Sequence, residues 1–176
     1  PCQSSAASDV YKRQIGGGVV GCSVAYHLAK FGWKDTILLE RDQLTSGTTW
    51  HAAGLVSQLG PSAAITKIRK YTLDLYKELE KKVDHSAGLR LNGALSIAEN
   101  KGRWQELQRQ ATTAQLFDVD VRILDKEQIK KDYPIVNTDE VIGGILMPGD
   151  GAADPSGVTH MLAKACLLYT SDAADD

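Results

Sequence analysis

The stretch that decides the fold is IGGGVVG, residues 15–21, in which glycines recur as Gly16-x-Gly18-x-x-Gly21. Three glycines in this order allow a tight turn, a close approach of the backbone to a diphosphate, and close packing of a helix on a strand. A helix that begins at Val19 would offer its unpaired N-terminal amides and its dipole to that anion. The stretch therefore predicts a dinucleotide-binding turn.

The residues after this turn predict a helix and a strand. With the strand that should precede the turn, they make one strand–helix–strand unit. Apolar residues recur on one stripe through residues 19–31, and Gly32 then predicts the end of a first helix. Residues 36–40 are a short apolar run that ends in Glu40, as in a strand buried on both faces. The Glu40 carboxylate can accept hydrogen bonds from both hydroxyls of an adenosine ribose and repels a 2′-phosphate, which favours FAD or NAD over NADP.

The rest of the chain predicts further helices and strands. Residues 44–60 have no sustained period and predict a loop, whereas residues 62–83 predict a long amphipathic helix. The dipeptide Asn92-Gly93 is typical of a tight turn, so we expect residues 89–91 and 95–97 to pair across it. The later predicted elements are a helix around Trp104 to Ala114, a strand at Val121–Ile123, a helix opened by a capping box of Asp125 and Gln128, a strand at Val141–Leu146 and a final helix opened by Asp154-Pro155.

Composition indicates an ordinary globular protein. The 176 residues include 20 Lys and Arg against 22 Asp and Glu, so the net charge of −2 argues against a nucleic-acid partner. No apolar run is long enough to predict a membrane helix. The three cysteines form no C-x-x-C pair, and no His, Cys or carboxylate set has ligand spacing, so we predict no metal site.

The two ends of the chain do not match its middle. Residues 12–14 are polar where a buried strand should precede Gly16, and burying them unpaired would cost several kcal/mol. The helical pattern of residues 158–165 stops abruptly at residues 166–176, which have neither periodicity nor a cap. Both terminal strings resemble translated sequencing-adapter read-through, so residues 1–14 and 166–176 are interpreted as non-native.

A second stretch, LTSGTTWHAAGL at residues 44–55, separates FAD from NAD. Together with residues 16–40 it resembles the FAD-dependent amine dehydrogenases of the dimethylglycine and sarcosine dehydrogenase family, within the wider D-amino-acid-oxidase-like flavoenzymes. The resemblance extends over nearly all of residues 15–165 and includes the turn at residues 148–151. The chain is therefore interpreted as an N-terminal fragment of such an enzyme.

This resemblance implies an α/β fold in which a Rossmann-like FAD-binding βαβ unit is interleaved with the start of an α+β substrate domain. We expect residues 15–88 to form the FAD-binding segment and residues 89–155 to begin the substrate domain. Residues 156–165 would then return to the FAD domain.

In the family that this chain resembles, the histidine of the Thr-Trp-His-Ala-Ala-Gly stretch is joined covalently to the 8α methyl group of the flavin. His51 occupies that place, and a neutral imidazole nitrogen is a competent nucleophile near pH 7. The alternative for His51 is a hydrogen-bonded loop histidine. The expected cofactor-binding residues are Gly16, Gly18, Val19, Val20, Gly21, Glu40, Arg41, Gly47, Thr48, Thr49, Trp50, His51, Ala52, Ala53, Gly54 and Leu55.

The resemblance implies hydride transfer to flavin from an N-methyl C–H of a small amine such as dimethylglycine or sarcosine. Electrons would pass to an electron-transfer flavoprotein or to oxygen. Substrate-binding side chains, catalytic residues and any folate-binding domain would lie beyond Ala165. The bacterial cytoplasm or the mitochondrial matrix is the compartment that it suggests. Two alternatives remain: a regulatory flavoprotein like the regulatory subunit of pyruvate dehydrogenase phosphatase, and an NAD-binding module.

Overall fold

The fold is taken from a computed structural model, which describes residues 12–33 and 35–170. These residues form two compact units. Unit 1 holds the described residues of 1–54, 76–88 and 153–176, and unit 2 holds residues 55–75 and 89–152. The boundary at residues 75–76 falls within the long helix α2, Ala63–Lys82. The functional division at residues 88 and 155 stays a prediction.

Unit 1 contains the predicted strand–helix–strand unit. Strand β1, Lys12–Ile15, leads into helix α1, Val19–Lys30, and the chain returns in strand β2, Thr36–Leu39. The two strands are parallel, with Ile15 opposite Leu39. This arrangement confirms the predicted Rossmann-like α/β fold.

The start of β1 differs from the sequence expectation. Lys12–Ile15 form a strand although their polar side chains argued against one. Arg13 is exposed and Gln14 is only partly buried, so these polar groups meet no desolvation penalty in this sheet. Cys166 to Thr170 likewise continue the last helix, α5 (Pro155–Thr170). The non-native origin assigned to both ends stays a prediction, and residues 1–11 and 171–176 lie outside the described residues.

The core of unit 1 is a helix pair that packs through small side chains. Ala25 and Ala29 of α1 are buried, as are Met161, Leu162 and Ala165 of α5. Alanines on a helix face let a neighbouring helix approach closely, and the larger apolar side chains of the partner then fill the remaining space. Helix α5 therefore holds α1 in place from the far end of the sequence.

Unit 2 is built on a three-stranded antiparallel sheet. Its order is β4 (Ala94–Ala98), β6 (Gly143–Met147) and β5 (Arg122–Leu124). Helix α3, Lys101–Gln115, packs through Leu107 and Ala111 against Ala98, Ile145 and Met147. Helix α4, Lys126–Asp132, packs through Ile129 near Leu95, Ile97 and Leu146, which alternate with the first set along the strands.

The predicted capping box at the start of α4 is confirmed. Asp125 accepts a hydrogen bond from the Gln128 amide at 2.8 Å, and the Gln128 side chain accepts one from the Asp125 amide at 3.0 Å. The helix ends at Asp132, before Pro134, as the ring of a proline requires.

The predicted pairing across Asn92-Gly93 is wrong. Arg90 forms an antiparallel bridge with Ala152, and β4 pairs with β6. Gly93 adopts φ +85° and donates its amide to Asp150 O at 2.9 Å, so the turn directs the chain toward residues 150–152. There β7, Gly151–Ala152, pairs with β3, Leu55–Val56.

Candidate functional site

The glycine-rich turn of unit 1 brings the backbone at Gly21 into close contact with Gly16. Gly16 adopts φ +100° and donates its amide to Leu39 O at 2.8 Å, which ties the turn to β2. A Cβ at Gly21 would lie 1.8 Å from Gly16 O, far inside contact distance. The backbone therefore reaches the N-terminus of α1 by a path that only glycine permits at position 21.

The N-terminus of α1 receives its cap from a distant residue. Gly18 occupies the N-cap position and has no side chain to accept a helix amide. Instead, the Val19 amide donates to Thr49 Oγ1 at 3.0 Å. Thr49 is only 8% exposed, so this hydroxyl is held against the helix. Its own O–H can still donate to an anion at the same place.

Glu40 follows β2 and reaches back to the glycine turn. Its Oε2 accepts the Gly17 amide at 2.6 Å, and its Oε1 accepts the amides of Arg41 at 2.6 Å and Asp42 at 3.1 Å. The Gly17 amide contributes most, followed by Asp42 and Arg41, and together they lower the pKa of Glu40 below its ordinary value. The carboxylate is therefore ionised near neutral pH, with lone pairs left for further hydroxyl donors.

The segment 44–54 is attached to the rest of unit 1 at three points. The Thr45 amide donates to Gly17 O at 3.1 Å near its start, and Thr49 accepts from Val19 in its middle. At its end, Gly54 O accepts the Ala153 amide at 2.8 Å. Gly54 has φ +70°, and a Cβ there would lie 2.2 Å from Ala153 O, so its backbone lies directly on the chain that enters α5.

Between these attachments the segment presents aromatic groups to solvent. Thr49–His51 form a short 3-10 turn within the predicted loop. The Trp50 and His51 rings lie 3.8 Å apart between centroids, at 31°, and Trp50 is 58% exposed. His51, Ala52 and Ala53 are also exposed. The imidazole is thus accessible and is only two residues from the side chain that caps α1.

Most of the predicted cofactor residues share one region of unit 1. The glycine turn, Glu40 and the segment 47–54 are joined there by the hydrogen bonds given above. Arg41 points to solvent, with a side chain 92% exposed and an Asp42 contact at 3.5 Å. Leu55 is 80% exposed and belongs to unit 2. A cofactor-binding role for each predicted residue stays a prediction.

Sequence reasoning missed the residues that hold the segment in place. Thr45 has φ +73° without being glycine, and its Oγ1 accepts a hydrogen bond from Ser156 Oγ at 3.4 Å. Ala153 anchors Gly54, and the adjacent Asp154 caps α5 through the amides of Ser156 and Gly157. Asp154-Pro155 was a visible helix-opening signal, but nothing in the sequence pairs it with residues 45–54.

Two kinds of site have no counterpart in the part of the chain that the structure describes. No group of three or more His, Cys, Asp and Glu residues there could hold a metal ion. Among the same residues, every helix is too short or too polar to cross a membrane.

Comparison with known proteins identifies the family. The model of the FAD dependent oxidoreductase family matches residues 15–169. The chain belongs to this family. The chain is also similar to sarcosine dehydrogenase, mitochondrial, of Homo sapiens, with 41% identity over 86% of this chain and 17% of that protein. Dimethylglycine dehydrogenase, mitochondrial, of Rattus norvegicus is 38% identical over 88% of this chain and 18% of its own length.

Solved structures share the fold. L-proline dehydrogenase from P. horikoshii superposes with a TM-score of 0.81 and 26% identity over 90% of this chain and 42% of that chain. The chain spans less than one fifth of the length of the two curated relatives. The family assignment makes FAD the cofactor, so the question is whether the glycine turn and Glu40 are suited to bind it.

The closed turn predicts a large effect of Gly21→Ala. Because the added Cβ overlaps Gly16 O, the backbone must move, and we expect the free energy of unfolding to fall by about 3 kcal/mol or more. Gly102→Ala in α3, where the nearest contact is an ordinary 3.5 Å, is the matched control and should gain about 0.5 kcal/mol. Urea unfolding of both variants measures the difference. Equal stability of the two variants would contradict this account of the turn.

The three amides on Glu40 predict a pH-dependent contribution to stability. Its folded-state pKa lies below the ordinary 4.5, so the stabilisation is present above pH 4.5 and is lost as the pH falls through the folded-state value. Glu40→Gln should therefore lower the melting temperature at pH 7 and change it little in strong acid. The exposed Glu140→Gln is the control. A melting-temperature difference that is constant with pH would show that the charge of Glu40 has no part in it.

Proposed function

We propose that this chain is the cofactor-binding part of an FAD-dependent oxidoreductase that oxidises an N-methyl C–H of small amines such as dimethylglycine or sarcosine. The observation that carries the proposal is the Val19–Thr49 hydrogen bond, which brings the His51 segment to the N-terminus of the helix that follows the glycine turn. The 38–41% identity to dimethylglycine and sarcosine dehydrogenases supports the substrate class. Bound FAD would supply the hydride acceptor.

The residues present fit a dinucleotide diphosphate. The start of α1 offers backbone amides, the glycine turn leaves no side chain in the way, and the Thr49 hydroxyl can donate beside them. An exposed aliphatic residue, Val20, next to these amides presents no charge that would repel phosphate. We therefore place the diphosphate of FAD at this helix N-terminus.

Glu40 suits the ribose end of the same cofactor. Its charge is kept by the three backbone amides, and a carboxylate oxygen that accepts one or two amides can accept a hydroxyl as well. A fixed negative charge at this position favours a free 2′-hydroxyl over a 2′-phosphate. Glu40 thereby disfavours a dinucleotide with a 2′-phosphate, and its hydrogen bond to the Gly17 amide also stabilises the turn.

His51 is proposed to carry the flavin covalently through a ring nitrogen. The imidazole is exposed, stacked on Trp50, and flanked by the small side chains of Ala52 and Ala53. Small neighbours allow a planar ring to approach the backbone, and the Trp50 ring lies beside the imidazole. The remaining residues proposed to contact the cofactor are Gly47, Thr48, Gly54, Leu55 and Arg41.

We propose that parts of the protein outside residues 15–165 complete the substrate site. No catalytic base is assigned within them. Transfer of electrons to an electron-transfer flavoprotein or to oxygen, and of a one-carbon unit to folate, are proposals that follow from the substrate class. A regulatory flavoprotein and an NAD-binding module are the competing functions that the experiments below separate.

Covalent attachment predicts that flavin stays on the denatured protein. The intact gene product, precipitated in acid, should retain a yellow fluorescent flavin on the polypeptide, and His51→Ala should release it into the supernatant. His27→Ala, on α1 and distant in sequence from the segment 44–54, is the control and should retain the flavin. Release from the wild type and from His51→Ala to the same extent would refute the covalent role of His51.

The substrate class predicts bleaching of the flavin absorbance. Anaerobic addition of sarcosine or dimethylglycine to the intact gene product should reduce the flavin, since the N-methyl C–H gives up a hydride. A yellow protein that neither amine reduces would favour the regulatory flavoprotein, and a colourless protein would favour the NAD-binding module. Glycine, which lacks the N-methyl group, is the control ligand.

A further inference from the structure

A cavity of about 450 Å³ lies within unit 2, against helix α3. It exists because β4 carries only small side chains, Ala94 and Ser96, on the strand face that α3 covers. Further along the same face, Leu107 and Ala111 of α3 fill the space against the sheet. The volume lies within the range of sites for small organic molecules.

A buried carboxylate lines this cavity. Asp150 is 3% exposed. Its Oδ1 accepts the Gln58 amide at 2.9 Å and the Gln58 side chain at 3.4 Å. Within the described ranges, Oδ2 accepts no hydrogen bond and the carboxylate forms no ion pair. A carboxylate oxygen without a protein partner in a cavity wall can accept a hydrogen bond from a ligand or serve as the counter-ion of a cation.

The other charges of the cavity neutralise each other. Arg109 donates from Nη2 and Nε to the two oxygens of Glu106, at 2.7 and 2.9 Å. This pairing, with a further hydrogen bond from Gln110, lowers the pKa of Glu106 to about 2. Since Glu106 and Arg109 cancel, Asp150 is the remaining charge among the residues that line the cavity. Arg69, which is not one of them, donates from Nη1 to Ser57 Oγ and Leu59 O of the wall.

The remaining walls are apolar on one side and hydroxylated on the other. Leu59, Pro61 and Met147 offer surfaces that methyl groups can contact, and Ser57 and Ser96 offer hydroxyls. A ligand with a positive nitrogen that carries methyl groups matches both features. A free metal cation would leave the apolar walls unused.

We propose that this cavity binds the methylated ammonium group of a small amine, with the Asp150 carboxylate as its counter-ion. The inference deepens the proposed function, on which it rests for the choice of ligand. It assigns to residues of unit 2 the recognition of the positively charged nitrogen, which the cofactor site of unit 1 does not supply. Gln58, which donates to Asp150 Oδ1, is a positioning residue for this carboxylate.

A pair of probes that differ only in charge tests the proposal. N,N,N-trimethylglycine has a permanent positive charge, and 3,3-dimethylbutanoate has the same shape with carbon in place of nitrogen. Calorimetric titration of the intact gene product should show at least tenfold tighter binding of trimethylglycine. Equal affinity for the two probes, or no binding of either, would overturn the proposal.

Three variants locate the binding. Asp150→Asn keeps an oxygen for the Gln58 amide but removes the charge, and should abolish the preference for trimethylglycine. Asp120→Asn removes an exposed carboxylate of the same unit and should bind as the wild type does. Ser96→Leu places a larger side chain in the cavity and leaves Asp150 unchanged, so the affinity for both probes should fall at least tenfold. This variant keeps the test decisive if Asp150→Asn folds poorly. Wild-type affinities in Ser96→Leu would place the binding elsewhere.

The outcome is independent of flavin reduction. If sarcosine bleaches the flavin while Asp150→Asn leaves the probe affinities unchanged, the cavity assignment fails and the proposed oxidation stands. If the charge-selective binding depends on Asp150 but neither N-methylated amine reduces the flavin, the proposed oxidation fails instead.

Discussion

The hydrogen bond from the Val19 amide to Thr49 Oγ1 is the interaction on which the arrangement of unit 1 depends. A helix that begins after Gly18 has no side chain of its own to cap it, so one of its orphan amides must find a partner elsewhere. The bond contributes about 1 kcal/mol by itself. Its structural effect is larger, because it fixes the residue two positions before His51 at the mouth of α1.

This constraint explains where the chain tolerates side chains. The backbone must pass close to itself at Gly21 and again at Gly54, where a Cβ would meet the carbonyl oxygens of Gly16 and Ala153. Between those contacts the segment keeps its large groups, Trp50 and His51, outward. The course of the backbone through the segment 44–54 therefore explains both its close packing and the exposure of the Trp50 and His51 rings. Helix α5 supports it, because Ala153 immediately precedes the residues that begin α5.

Sequence patterns predicted the local structure but not the contacts between residues far apart in the chain. The capping box at Asp125 and the turn at Gly16 depend on neighbours within a few residues, so the pattern alone indicated both. The pairing predicted across Gly93 failed because the partner of Arg90 is Ala152, far along the chain. The polar residues before Gly16 argued against a strand there because burial was assumed for them, whereas Arg13 is exposed and Gln14 is only partly buried. Thr45 and Ala153 gave no signal, since their role exists only once α5 lies beside the segment 44–54.

The two carboxylates that matter differ in how their charge is satisfied. Glu40 is met by three backbone amides from two stretches of chain, so its ionised form already serves the fold. Asp150 is more buried, yet its donors both come from Gln58 and reach only one oxygen. The second oxygen of Asp150 can therefore serve as the counter-ion of a cationic ligand. The unused oxygen of Asp150 is thus better explained by recognition of a ligand than by the stability of unit 2.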